Sequence, residues 1–203
     1  MPLLKFNKNG IYCAWADVYI DPWKPVKRAL ITHAHADHSR SGHQCYLAHK
    51  DSESVMRLRL GAGISLETVD YAEVKTINGV QFSFHPAGHI PGSAQIRAEY
   101  KGEVWVVSGD YKTQEDGISA PFEPVACNHF VTESTFGLPI YKWEEQPVVM
   151  DEINHWWQGC KEKGKVAVIG AYSLGKAQRI INHVDQNIGR IFTHGAVENT
   201  NEV

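Results

Sequence analysis

A chain of 203 residues that is 43% hydrophobic and 21% charged is long enough to bury a core and too apolar to be disordered. Its formal charge of −3 argues against a broad basic face for nucleic acid, although bound divalent cations would supply positive charge locally. Cys13, Cys45, Cys127 and Cys160 form no CxxC pair, which speaks against a disulfide framework and fits a reducing cytoplasm.

The start, Met1 to Lys5, is interrupted by charge too soon for a signal peptide, and no apolar run reaches a membrane span. Ile11 to Ile20 is rich in aromatic and β-branched residues and predicts a strand stopped by Asp21-Pro22. Ala29 to Thr32 predicts a short apolar strand. Asp51 or Ser52 caps a helix that runs to Leu60 before Gly61. Asn78-Gly79 and Lys101-Gly102 each join two strands, over Glu73–Ile77 with Val80–Phe84 and Ala94–Tyr100 with Glu103–Val107. His129 to Thr132 is a further strand.

The pattern changes near residue 136. A helix is expected from Pro147 to about Gly164, a strand over Lys165–Ala171, a helix over Leu174–Val184 and a strand from Ile191 to Thr193. That alternation predicts an α/β unit with a parallel sheet. The expected domains are therefore 1–135 and 136–203. No helix or closing strand is expected after Thr193, so the second domain reads as interrupted.

The densest chemistry is Thr32-His33-Ala34-His35-Ala36-Asp37-His38, directly after an apolar strand. At i and i+2 of extended chain, His33 and His35 point the same way and can grip one metal. Asp37 and His38 follow where the chain turns and can reach a second. A polar surface loop is the plain alternative, but a chance HxHxDH at a strand end is improbable.

This segment resembles the metal-binding signature of the metallo-β-lactamase superfamily. The resemblance implies a lone histidine in a later loop and an aspartate at a strand end. His89, in Pro86-Ala87-Gly88-His89-Ile90-Pro91-Gly92-Ser93, and Asp110, after Val106-Val107-Ser108-Gly109, answer to these. It implies that His89 joins the first metal's histidines and that Asp110 bridges two ions. Ala87-Gly88-His89 with Gly92-Ser93, Thr132-Glu133-Ser134-Thr135-Phe136-Gly137 and Ala171-Tyr172-Ser173-Leu174-Gly175-Lys176 resemble the β-CASP nuclease branch. The last turn also makes physical sense at a phosphate, with Ser173 as cap, Gly175 for close approach and Lys176 for charge. Glu133 reads as a structural anchor. The whole chain is similar to the bacterial DNA ligase-associated exonucleases, often labelled mRNA 3′-end processing factor-like.

The resemblance implies an α+β fold: the N-terminal half of an αββα metallo-β-lactamase sandwich and the beginning of an inserted β-CASP α/β domain. The family's last metal-binding histidine is expected beyond residue 203, with His194 the only substitute in view, so one zinc or fewer is expected here against two in a longer protein. Asp37 is the expected catalytic carboxylate. The expected function is a zinc-dependent phosphodiesterase acting on single-stranded DNA or RNA, first a repair exonuclease working with a DNA ligase and helicase. An RNA 3′-end processing nuclease, a small-molecule metallo-hydrolase and an inactive scaffold are the alternatives.

Overall fold

A short turn at Lys8-Asn9 lets β1 (Leu4–Asn7) fold back antiparallel on β2 (Gly10–Cys13) in the computed structural model, which describes residues 2–203. The single strand expected over Ile11–Ile20 is in fact two. The chain reverses after Cys13 and returns as β3 (Val18–Ile20), antiparallel to β2. Asp17 makes the turn with φ +54°, and the Tyr12 hydroxyl donates to its carboxylate at 2.9 Å. An aspartate tolerates that left-handed backbone better than most residues, so the apolar run breaks there.

β4 (Arg28–Leu30), β5 (Cys45–His49) and β6 (Leu66–Val69) then add in parallel, giving a six-stranded sheet in the order β1-β2-β3-β4-β5-β6. The β5–β6 crossover carries a 3₁₀ turn over Lys50–Ser52 and α1 (Glu53–Leu60). Ser52 precedes α1 but does not cap it; its hydroxyl donates instead to the Gly92 carbonyl at 3.0 Å.

The second sheet has the order β11-β10-β9-β8-β7, from β7 (Lys75–Ile77), β8 (Val80–Pro86), β9 (Ala94–Tyr100), β10 (Glu103–Val107) and β11 (His129–Val131). Both expected hairpins form. Asn78 and Gly79 take φ of +49° and +85°, Lys101 and Gly102 +52° and +81°, as a two-residue turn with both central φ positive requires. β11 closes the edge in parallel with β10.

One buried cluster draws on both sheets: Leu4, Cys13, Val18, Ile20, Leu30, Leu47 and Val69 from the first, Val80, Phe82, Phe84, Ile96 and Val107 from the second. Burying a side chain of the size of Phe82 or Phe84 contributes about 1.5–3 kcal/mol. This core fixes the strand ends from which the site loops leave.

Contacts divide the chain into residues up to Glu115 with Ser119–Glu133, and Asp116–Ile118 with Ser134–Val203. The second unit holds α2 (Gln146–Glu162), α3 (Lys176–His183) and α4 (Gly195–Asn201). His183 binds Asp116–Ile118 into it, its Nε2 lying 2.6 Å from the Asp116 carbonyl and 3.0 Å from Gln146 Nε2.

Two expectations fail here. Neither Lys165–Ala171 nor Ile191–Thr193 is a strand; no strand follows β11 among the described residues. Neither segment has a ladder partner, and Val166, Val168 and Phe192 are left 87%, 80% and 87% exposed. Helix α4 was not expected at all. Gly195 at its start disguises it, while His194 caps it by accepting from the Ala196 amide at 3.1 Å. No described helix is long and apolar enough to cross a membrane.

Candidate metal centre

Three strand ends converge. The chain leaves β4 through Ile31, whose amide still bonds the Leu47 carbonyl at 2.9 Å, and Thr32, whose carbonyl accepts from Ala94 at 2.8 Å. His33 follows, fully buried. His89 stands in the loop between β8 and β9, and Asp110 lies three residues beyond β10.

One ligand atom each from His33, His35, His89 and Asp110 lies within 4.8 Å of all the others. His33 Nε2 and His89 Nε2 approach His35 Nδ1 at 3.0 and 3.2 Å. Asp110 turns Oδ2 toward His33 and His89, at 3.9 and 3.7 Å, and Oδ1 toward His38 Nε2 at 3.3 Å. One carboxylate thus faces the three-histidine pocket and a fourth histidine at once. Asp37 lies 3.7 Å from the same His38 nitrogen with its side chain 71% exposed.

Asp21 sets the ring orientations, and sequence reasoning missed it. Its Oδ1 accepts from the Thr32 amide at 2.8 Å, and its Oδ2 accepts from the Thr32 hydroxyl at 2.6 Å. With its proton committed to Asp21, Thr32 Oγ1 accepts from His33 Nδ1 at 3.1 Å. Asp21 Oδ2 also accepts from His38 Nδ1 at 2.7 Å. His33 is then left with an Nε2 lone pair facing the cluster, the arrangement a metal-ligating histidine needs, while His38 is held with Nε2 directed at Asp110 Oδ1. The one signal in the sequence was Asp21 ahead of Pro22, which had been read as a strand stop.

The electrostatics agree. Burial pushes His33 well below the ordinary imidazole range, with His38, His89 and His35 adding to it. Burial, then His35, lowers His89 to about 4. Burial would lower His38 too, but its bonds to Asp110 and Asp21 prevail and lift it to about 10. The same bond from His38 holds Asp110 below the usual carboxylate range. His33 and His89 therefore offer lone pairs at neutral pH.

Backbone packing supports the loops. Gly109 takes φ +57°, and a Cβ there would meet the Thr32 side chain at 2.6 Å. Gly88 takes φ +73°, and its Cβ would come 2.1 Å from the Lys112 carbonyl. Ser93 Oγ accepts from the His89 and Ile90 amides at 3.0 and 3.2 Å. Arg59 of α1 donates to the Ala34 carbonyl, between two of the histidines. Glu133 carries a charge that favours the protonated form of His89, against the dominant effect of burial.

The other candidates make contacts of their own. His85 bonds Ser83 within β8, at 3.0 Å. His43 Nδ1 accepts from the Val26 amide at 3.2 Å. Ser173, Gly175 and Lys176 belong to the second unit. Ser173 is not the cap of α3: Gly175, at φ +89°, holds that position. The Gly175 amide is taken by Gln178 Oε1 at 2.7 Å, while Lys176 Nζ lies 4.7 Å from the centre of the Tyr172 ring.

The donor set fits a divalent cation. Zinc with ligands at roughly 2.0–2.1 Å in a tetrahedron separates neighbouring nitrogens by about 3.3 Å, close to the observed 3.0 and 3.2 Å. Imidazole and carboxylate donors suit zinc, and suit manganese and iron as well.

No family model matches the chain. It is 30% identical over 197 residues, 94% of its own length, to a probable DNA ligase of Opitutus terrae, of which it covers 19%. It is 29% identical over 126 residues to the cleavage and polyadenylation specificity factor 73 of Drosophila melanogaster, covering 60% of this chain and 18% of that one. It is 30% identical over 124 residues to the endoribonuclease YSH1 of Saccharomyces cerevisiae, covering 60% and 16%. The chain spans less than a fifth of the length of each of these relatives.

Proposed function

We propose that this chain, a relative of the β-CASP branch of the metallo-β-lactamase proteins, forms the metal-binding part of a nuclease that hydrolyses phosphodiesters. The observation that carries this reading is Asp110, whose two oxygens face His38 on one side and His33 and His89 on the other.

On this reading His33, His35 and His89 would hold one ion, and Asp37 and His38 would contribute to a second in a longer protein, with Asp110 available to both. Zinc is the proposed metal; bound there it would polarise the phosphoryl group and make a water acidic near neutral pH. Asp37 would accept the proton of the attacking water, a role its exposed carboxylate 3.7 Å from His38 Nε2 supports. Asp21 and Thr32 keep the ring of His33 in the tautomer that leaves Nε2 free, and Asp21 fixes the ring of His38 through Nδ1. Residues 1–135 are the proposed metallo-β-lactamase part and 136–203 the proposed start of a β-CASP domain, with Ser173, Gly175 and Lys176 near the substrate backbone.

Within this class we favour single-stranded DNA, digested by an exonuclease working beside a ligase, because the similarity that extends over 94% of the chain is to a probable DNA ligase. An RNA-cleaving activity is the second reading, favoured by the endoribonuclease relatives.

The test is elemental analysis of the dialysed chain, followed by parallel digestion of end-labelled single-stranded DNA and RNA with and without zinc or manganese. Bound metal with metal-dependent loss of the DNA label is expected, abolished in Asp110→Asn. Loss of the RNA label alone would move the assignment to the second reading. A chain that holds no metal and cleaves neither polymer would overturn both.

A further inference from the structure

The loop that carries His89 is gripped by residues that follow the strands of the first sheet. Within the loop, the Ala87 amide donates to the Ser93 carbonyl at 3.1 Å and the Ser93 amide to the Ile90 carbonyl at 2.9 Å. Ser93 Oγ accepts from the His89 and Ile90 amides, so Gly92 and Ser93 close the loop around His89. Both of their carbonyls also receive a hydroxyl from outside: Gly92 from Ser52 and Ser93 from Tyr71, each at 3.0 Å.

Each donor is itself fixed. Ser52 is buried, and Gly92 approaches it so closely, at φ +75°, that a Cβ there would lie 2.5 Å from the Ser52 amide nitrogen and hydroxyl. Tyr71 follows β6 and forms an isolated bridge with Phe84, while the Ala72 amide donates to the Phe84 carbonyl at 2.8 Å. The backbone of Tyr71 is thus tied to the strand that enters the loop, and its hydroxyl to the residue that leaves it. Burial pushes the pKa of that hydroxyl up, so it keeps its proton and donates. His49 joins the two donors. Its buried ring stacks on Tyr71 at 3.5 Å and 14°, and its Nδ1 accepts from the amide of Asp51, the neighbour of Ser52, at 3.3 Å.

We infer that Ser52 and Tyr71, linked by His49, are positioning residues that set the place of the His89 imidazole. The inference rests on the metal reading of His89 and adds to it what holds that ligand still. The tolerance is narrow: His89 Nε2 stands 3.2 Å from His35 Nδ1, and a metal-ligand distance is defined to within about 0.2 Å. A loop that moved by a few tenths of an ångström would therefore lose its fit to the ion. Neither hydroxyl belongs to the cluster of His33, His35, His89 and Asp110, so each can be removed with that cluster kept whole.

The experiment removes one oxygen at a time, in Tyr71→Phe and Ser52→Ala. Tyr12→Phe, which loses the hydroxyl bonded to Asp17 at the turn between β2 and β3, is the control. Amide hydrogen exchange is followed by NMR in the metal-free chain, at His89 and Ile90 and at the slowly exchanging amides of β8 and β9. Cobalt(II) is then titrated in, and its affinity and visible absorption are recorded. Tyr71→Phe and Ser52→Ala should each speed exchange at His89 and Ile90 several-fold relative to the strand amides. Each should also weaken cobalt binding about ten-fold and alter its absorption, while Tyr12→Phe leaves both as in the parent. Exchange that rises equally in loop and strands means general stability only and overturns the positioning role. So do a cobalt affinity and spectrum unchanged in both variants. A parent chain that takes up no cobalt defeats the metal reading on its own, and the exchange rates still decide whether Ser52 and Tyr71 hold the loop.

Discussion

At Asp21 one carboxylate serves two imidazoles, one through Thr32 and one directly. Removing such an outer partner typically costs 10–100-fold in metal affinity. Asp21→Ala should therefore weaken zinc binding by about that factor, read by competition with a chromophoric chelator, with Asp21→Asn giving a smaller loss; unchanged affinity in both would sink the orienting role. His49 makes a separate prediction. It is buried, stacks on Tyr71 with ring centres 3.5 Å apart, and burial lowers its pKa. A lowered imidazole is favoured neutral in the fold, so its contribution is present above the ordinary value of about 6.5 and fades as pH falls through it. Urea midpoints should drop faster below about pH 6.5 for the parent than for His49→Gln; parallel curves would rule this out. At this scale His33 and His35 stand out by their spacing along the chain, whereas His89 and Asp110 are marked out by the resemblance; the fold brings the four together. Asp21 was legible in neither way, because its partners lie 11 and 17 residues away.

Among the elements, loops rather than strands decide the geometry of the centre. Gly109 joins β10 to Asp110 with φ +57° against Thr32. Gly109→Ala adds a methyl at 2.6 Å from that side chain in a left-handed backbone. Overpacking of this kind costs about 1–3 kcal/mol, so a lower denaturation midpoint together with weaker metal binding is expected; loss of stability alone would mean that Asp110 does not depend on this turn. The hairpins at Asn78-Gly79 and Lys101-Gly102 were readable from two residues each, since few pairs accept two positive φ values. The break inside Ile11–Ile20 was not, because Asp17 announces a left-handed turn only weakly. The β-rich runs at Lys165–Ala171 and Ile191–Thr193 had strand composition, but composition supplies no hydrogen-bonding partner.

For the whole molecule, the strands and hairpins followed from patterning and the sandwich from the resemblance, and the packing of the two sheets onto one core required the tertiary structure. The ligands come from the ends of β4 and β10 and from the loop after β8, while the residues holding those strands together lie inside the core. Scaffold and chemistry therefore face different selective pressures. Substitutions that reshape the rim can accumulate without unfolding the sandwich, and those that tighten the sandwich need not touch the clustered side chains. Such a separation makes a lineage evolvable: its substrate range can drift by loop change while foldability is inherited intact.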